Sequence, residues 1–275
     1  MLFCSDLDQT LIYSRKSFRL SPGVTIPAVQ LIETHNGQEL SFMTDSGIQR
    51  LQQLAATSSF VPVTTRSVEQ YQRIVLFRDS LIPPFAIMSN GGNILVGGKM
   101  DQAWNQHIKL KVAQTSLDAA SMLARFQEIR HDVWASRERV VDGLFYYFLV
   151  ERSQLPLEDL EIFAQWAQAQ NWRVSLQGRK LYIVPAAINK ADAVHYIKDI
   201  LQENLVVAAG DSLLDIGMLK QADWAIAPCH GEIWDGCLAG TLESAAIHFT
   251  SQAGILAADE ILDYAATCAV AERSA

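Results

Sequence analysis

The chain has 275 residues, 49% of them hydrophobic, with a formal net charge of -8 and a pI near 5.2. That length and apolar content allow one large core or two domains and argue against disorder. The acidic balance argues against a nucleic-acid-binding surface and for a small partner, which a local basic pocket could hold.

The first ten residues join a short apolar run, Met1 to Cys4, to two carboxylates and a hydroxyl at Asp6, Asp8 and Thr10. We read a buried parallel strand whose carboxyl end presents polar groups where ligands of open α/β sheets bind. A strand closing in an Asx turn would also fit these residues. Residues Ala28 to Glu33 and Gln38 to Met43 flank Asn36-Gly37, a hairpin signal. Such a hairpin could close over a site or pair with a second subunit. Thr44 is then expected to cap a helix over Asp45 to Ala56, with Ile48, Leu51 and Leu54 at helical spacing. A strand at Phe60 to Thr64, a helix at Val68 to Phe77 and a buried strand at Phe85 to Met88 follow. This alternation predicts an α/β fold with a doubly wound parallel sheet.

The pattern changes from Asn90 to Pro185. A helix at Leu117 to Ile129 precedes two β-prone runs, Val133 to Val141 and Leu144 to Val150, around Asp142-Gly143. The arrangement repeats with a helix at Leu157 to Ala169 and runs at Trp172 to Leu176 and Lys180 to Val184 around Gln177-Gly178. Two helix-hairpin units predict a small antiparallel sheet backed by helices, an α+β domain over residues 90–185 inserted into a core formed by 1–89 and 186–275. The core resumes with a helix from Asn189 to Gln202, a strand at Leu205 to Ala209 and a helix at Leu213 to Gln221. Strands at Trp224 to Ala227 and Ala245 to Phe249 and a helix at Gly254 to Ala266 complete it. No apolar run reaches the ~20 residues of a membrane span, and Met1 leads directly into the first strand without room for a signal peptide. Cys4, Cys229, Cys237 and Cys268 show neither zinc spacing nor a disulfide framework, so a cytoplasmic protein with reduced thiols is expected.

Three further stretches place polar residues just after an apolar run or at a helix start: Val61 to Arg66 with Thr64-Thr65-Arg66, Asn189-Lys190, and Val206 to Asp215 with Gly210-Asp211-Ser212. Together with Asp6-x-Asp8-x-Thr10, in this order, they resemble the four motifs of the haloacid dehalogenase (HAD) superfamily of aspartate-nucleophile phosphatases. The intervening residues fit its type IIB large-cap subgroup, the Cof-like and sucrose-phosphatase-like enzymes. The resemblance spans nearly the whole chain. It implies that the 28–43 hairpin is a flap, longer than is usual there, and that 90–185 is a B-type cap.

Phosphate monoesters repel nucleophiles, so a catalyst must neutralise charge while holding attacker and leaving group in line. The resemblance implies Asp6 as nucleophile, forming an aspartyl phosphate that water hydrolyses. Asp8 would serve as general acid and base, its carboxyl raised by neighbouring anions. Thr64 and Lys190 would hold the phosphoryl oxygens. A lysine in the first turn of a helix opposes the macrodipole and calls for an anionic partner. Mg2+ would be bound by Asp6, Asp211 and the Asp8 carbonyl, with Asp215 orienting a water. Ordinary caps and first-turn acids would also account for Asp211 and Asp215. Substrate contacts are expected from Thr10, Thr65, Arg66, Asn90, Gly91 and Arg179, with Arg137, Arg139 and Lys180 as further cap candidates. Two residues depart from the pattern: Thr65 replaces a common glycine, and Leu214 stands where the subgroup has asparagine. The function implied is a Mg2+-dependent phosphomonoesterase acting on a small soluble ester such as a sugar phosphate. The alternatives are a phosphomutase or phosphotransferase sharing the covalent step, and a non-catalytic phosphate-binding regulatory protein.

Overall fold

A computed structural model of the chain describes residues 1–243 and 246–274. It divides into two compact units, Met1–Met100 with Lys190–Ala275, and Asp101–Asn189. The first unit opens with β1 (Leu2–Ser5), the hairpin strands β2 (Val29–His35) and β3 (Gln38–Thr44), α1 (Asp45–Ala55) and β4 (Ser59–Pro62). It continues through the short α2 (Val68–Gln72), β5 (Phe85–Met88), β6 (Asn93–Val96) and β7 (Lys99–Met100). The second unit holds α3 (Gln102–Thr115), α4 (Ala119–Gln127), β8 (Ala135–Val141), β9 (Phe145–Val150), α5 (Leu157–Ala169), β10 (Trp172–Gln177) and β11 (Lys180–Pro185). The chain returns with α6 (Lys190–Leu201), β12 (Val206–Ala209), α7 (Ile216–Gln221), β13 (Trp224–Ala227), α8 (Glu232–Leu238), β14 (Ile247–Phe249) and α9 (Ile255–Ser274).

The main sheet is parallel throughout, in the order β14-β13-β12-β1-β4. On one face Phe3, Val207, Ala209 and Ile226 pack with Leu51 of α1 and Ala258 and Ile261 of α9. Leu2, Cys4, Val206 and Ala208, alternate along the same strands, are buried too. All-parallel sheets require this cover on both faces, and it makes their strands read as continuous apolar runs. β1 lies between β12 and β4, so its carboxyl end opens at the middle of the sheet edge. Thr44 caps α1 as expected, its Oγ1 accepting from Gly47 N at 2.8 Å, and its hydroxyl donates to Asp259 of α9 at 2.5 Å. Asn36 and Gly37 turn the β2–β3 hairpin with φ of 50° and 72°, the left-handed pair that a two-residue turn needs.

In the second unit, four antiparallel strands in the order β10-β11-β9-β8 form one sheet. Phe148, Leu181 and Ile183 pack with Met122 and Phe126 of α4 and Phe163 and Ala167 of α5. Two helices and two hairpins thus share one apolar core.

Several expectations need amending. β5 meets the parallel sheet through a single bridge, Val63 to Ile87, and pairs antiparallel with β6, which pairs with β7. That extra hairpin, turned by Gly97 and Gly98, keeps residues up to Met100 with the first unit, beyond the Asn90 crossing expected from sequence. The helix expected to reach Phe77 is α-helical only to Gln72. α3 and α8 were not foreseen. α3 buries only Trp104 and Ile108, too narrow a stripe to register as amphipathic. The expected start of the last strand, Ala245, lies outside the described residues. Among the described residues, no helix is long and apolar enough to cross a membrane.

Candidate active site

Four loops at the carboxyl edge of the parallel sheet bring the motif residues of the first unit together. Asp6 follows β1 directly, its N–H donating to Ala209 O of β12 at 2.9 Å, so the strand pairing continues into the carboxylate that leads the turn. Lys190, the first residue of α6, is 1% exposed and donates from Nζ to Asp6 Oδ1 at 2.6 Å and to Asp215 Oδ1 at 2.5 Å. The anionic partner demanded by its place in the first helical turn is therefore a pair of carboxylates from two other loops. Asp215 is held from its far side, Oδ2 accepting from Ser212 N at 2.9 Å and Ser212 Oγ at 2.8 Å. Gly210 makes this packing feasible: a Cβ there would lie 2.5 Å from Asp215 Cβ.

Asp6, Asp211 and Asp215 are all buried and offer carboxylate oxygens within 4.8 Å of one another. Burial, opposed by Lys190 and reinforced by Asp215 and Asp8, pushes the Asp6 carboxyl up to about 7. Burial, followed by Asp6 and Asp215, likewise holds Asp211 well above the usual carboxylate range. Burial opposes the Lys190 charge, but Asp215 and Asp6 outweigh it and keep the ammonium protonated. One ammonium among three buried carboxylates leaves a deficit of positive charge. A hard divalent cation with oxygen ligands fits this donor set.

Thr64 is fully buried after β4, its N–H donating to Ile87 O at 2.8 Å and its Oγ1 accepting from Arg66 N at 3.2 Å. Asn90 N donates to Thr64 O at 2.9 Å, and Asn90 and Gly91 form a tight turn with φ of 58° and 97°. These two residues therefore lie beside Thr64 in the first unit. Thr10 Oγ1 lies 3.5 Å from Asp211 Oδ1, at the limit of a hydrogen bond, tying the turn after β1 to the loop after β12. Thr65 is half-buried next to Thr64, and Leu214 is a buried apolar residue. Arg179 sits in the turn between β10 and β11 of the second unit, its carbonyl accepting from Val150 N at 2.9 Å.

Asp8 and Arg66 depart from the sequence expectation. Arg66 donates from Nε and Nη2 to the two oxygens of Asp8 at 2.7 and 2.8 Å, so Asp8 faces a guanidinium and not only anions. Nη1 of Arg66 reaches Glu33 Oε2 at 2.8 Å, and Nη2 reaches Ser41 Oγ at 3.2 Å. Two further residues around the turn were not foreseen. His230 Nδ1 accepts from Gly254 N at 3.1 Å, which leaves the Nε2 proton to donate to Gln9 O at 3.1 Å. Burial, then Arg19, holds the imidazole neutral, with its pKa lowered to about 4. Tyr13 donates to the same Gln9 carbonyl at 2.7 Å. Gln9 itself has a φ of 63°, a conformation that a non-glycine residue keeps when its surroundings impose it.

Residues 1–230 match the family model of sucrose-6F-phosphate phosphohydrolase. No curated protein matches the chain in sequence. Among solved structures, the chain is similar to the sucrose-phosphatase of Synechocystis sp. PCC6803 in complex with sucrose and phosphate, at 13% identity and a TM-score of 0.68 over 97% of this chain and 98% of that one. It is similar to a sugar phosphatase of HAD subclass IIB at 12% identity and a TM-score of 0.62, over 98% and 99% of the two chains. A protein of Thermoplasma acidophilum shares 13% identity at a TM-score of 0.62, over 96% and 97%. At these identities the structural likenesses speak to fold, and the family match speaks to kinship. The chain belongs to the sucrose-6F-phosphate phosphohydrolase family of HAD-superfamily phosphatases.

Proposed function

We propose that this phosphatase hydrolyses the phosphate monoester of a small sugar in two displacements through a phosphoaspartate on Asp6, with Mg2+ held by Asp6, Asp211 and the Asp8 carbonyl and a water oriented by Asp215. The reading is carried by the buried ammonium of Lys190, 2.6 Å from Asp6 and 2.5 Å from Asp215 at the end of the central strand. Converging buried charges of this kind stabilise a fold weakly at best, and strongly perturbed carboxyls in such a place are a mark of function. Bound Mg2+ would offset negative charge on the phosphoryl group and the carboxylates.

An Asp6 oxygen attacks phosphorus in line, forming the acyl phosphate as the P–O bond to the sugar breaks. Asp8 gives a proton to the departing sugar oxygen. It then takes one from the water that attacks the phosphoaspartate, so inorganic phosphate leaves and Asp6 is regenerated. Lys190 and the Thr64 hydroxyl bind phosphoryl oxygens, and Thr10, Thr65, Asn90 and Gly91 shape the surrounding loops. Arg179, on a hairpin of the second unit, is assigned to the remainder of the substrate. A sugar is favoured because a structurally similar enzyme was solved with sucrose and phosphate and another is a subclass IIB sugar phosphatase. A cytoplasmic setting belongs to the same reading, since all four cysteines are free thiols.

Phosphate release from a panel of hexose and disaccharide phosphates, with Mg2+ and with chelator, tests the proposal. Mg2+-dependent turnover is expected, and Asp6→Asn should lower it about a thousandfold or more. Turnover that survives both chelation and Asp6→Asn would sink the covalent mechanism.

A further inference from the structure

The β2–β3 hairpin reaches the candidate site through two side chains, Glu33 and Ser41, of which Glu33 is the charged one. Glu33 sits at a bulge in β2, where the register with β3 shifts on both sides of it, and its side chain is 2% exposed. A bulge re-aims a side chain that strict alternation would send elsewhere. Glu33 Oε2 accepts from Ser41 Oγ at 2.6 Å and from Arg66 Nη1 at 2.8 Å. Arg66, 12% exposed at its side chain, in turn grips both oxygens of Asp8, which is 51% exposed. The most exposed carboxylate of the set is therefore oriented by a guanidinium that is itself anchored from behind.

We propose that Glu33 is a positioning residue: acting through Arg66, it fixes the Asp8 side chain where its protonated carboxyl gives a proton to the leaving oxygen and its carboxylate then takes one from water, which makes the hairpin part of the catalytic apparatus. The inference rests on the acid and base role given to Asp8 above. Burial disfavours the charge on Arg66, but Asp8 and then Glu33 outweigh it and hold the guanidinium protonated. With Glu33 neutral, Arg66 keeps only the exposed, rotatable Asp8 as an anionic partner, and the pair loses its fixed point. A misplaced acid is felt most when the leaving group is a poor one. A sugar alkoxide needs its proton, whereas a nitrophenolate departs nearly unaided.

The test compares turnover of glucose 6-phosphate and 4-nitrophenyl phosphate by the full chain with Mg2+. General acid–base catalysis is worth ~10²–10⁴-fold, and loosening its geometry should forfeit part of that. Glu33→Gln, which keeps the shape and the Ser41 contact, should lower kcat for the sugar phosphate about 10- to 100-fold, lower the aryl phosphate severalfold less, and change KM little. Arg66→Lys, which removes the bidentate fork, should give the same split. Equal losses on both substrates, or a rise in KM alone, would overturn the proposal. If the wild type turned over neither substrate, the phosphatase reading would fail separately. The Arg66 Nε–H resonance would then decide: Glu33→Gln and Asp8→Asn should each shift it, and a resonance indifferent to Glu33→Gln refutes the coupling.

Discussion

Asp6→Asn should stabilise the metal-free enzyme, and more so in alkali than in acid. Burial, opposed by Lys190, raises the Asp6 carboxyl from 3.8 to about 7. The folded state therefore binds more protons than the unfolded chain between those values. Stability from this group is fully present below the unfolded pKa and is lost as pH rises through the folded one. At about 1.4 kcal/mol per pH unit, the complete displacement amounts to roughly 4 kcal/mol of destabilisation once Asp6 is ionised. Asparagine removes that penalty and leaves Lys190 paired with Asp215 at 2.5 Å. Urea denaturation of both proteins in chelator would measure it. The variant should be more stable by roughly 2–4 kcal/mol at about pH 8, with the gap shrinking by about 2–3 kcal/mol at about pH 5. Mg2+ at the higher pH should narrow the gap as well, because a cation that binds the native wild type stabilises it by mass action. A gap that does not vary with pH, or a variant less stable at the higher pH, would refute the account of buried, undercompensated carboxylates.

Lys190→Met keeps the apolar stem but leaves Asp6 and Asp215 facing each other without an ammonium. The denaturation free energy in chelator should drop by about 3–5 kcal/mol, and an unchanged urea midpoint would show that the lysine is not the compensating charge. His230 is neutral in the folded protein, its pKa lowered by burial, then by Arg19, to about 4. The unfolded chain thus takes up the proton first, so this contribution is present above about pH 6.5 and lost as pH falls toward 4, up to about 3 kcal/mol. Stability against pH for His230→Gln should be flatter across that window than for the wild type, and parallel curves would refute it.

The parts of the fold that were legible in the sequence carry their own local instructions. Asn36-Gly37 and Asp142-Gly143 take up the left-handed angles that short hairpins require, and Thr44 starts its helix with a side-chain cap. α5 runs from Leu157 to Ala169 as its periodicity predicts. Elements with a weak local pattern were missed: α3 with its two buried residues, the short α8, and the β6–β7 pair. The site was legible in the same way. Three strands are followed by polar residues and one helix starts on Lys190, and only the order of these four stretches linked Asp6 with Lys190 and Asp211. The polar partners that set the geometry gave no such signal. Glu33, between Ile32 and Thr34, reads as one more charge on a half-buried strand, and only the bulge turns it inward. His230 lies 221 positions from the Gln9 carbonyl that it holds.

Arg66 shows why this gap matters for function. A guanidinium just past Thr64 and Thr65 at a strand end reads as a substrate contact, and its Nε, Nη1 and Nη2 already donate to Asp8, Glu33 and Ser41. Lys190 is itself shared between Asp6 and Asp215. Asp6, Asp8, Glu33, Asp211 and Asp215 carry five formal negative charges against two from Lys190 and Arg66, a net of three negative. A phosphoryl dianion entering that field would be repelled, and proton uptake by Asp6 and Asp211 relieves only part of the excess. A divalent cation with oxygen ligands, as proposed above, would offset that excess. Asp6, Asp211 and Asp215, whose burial is unfavourable, offer oxygens within 4.8 Å of one another that could hold such an ion.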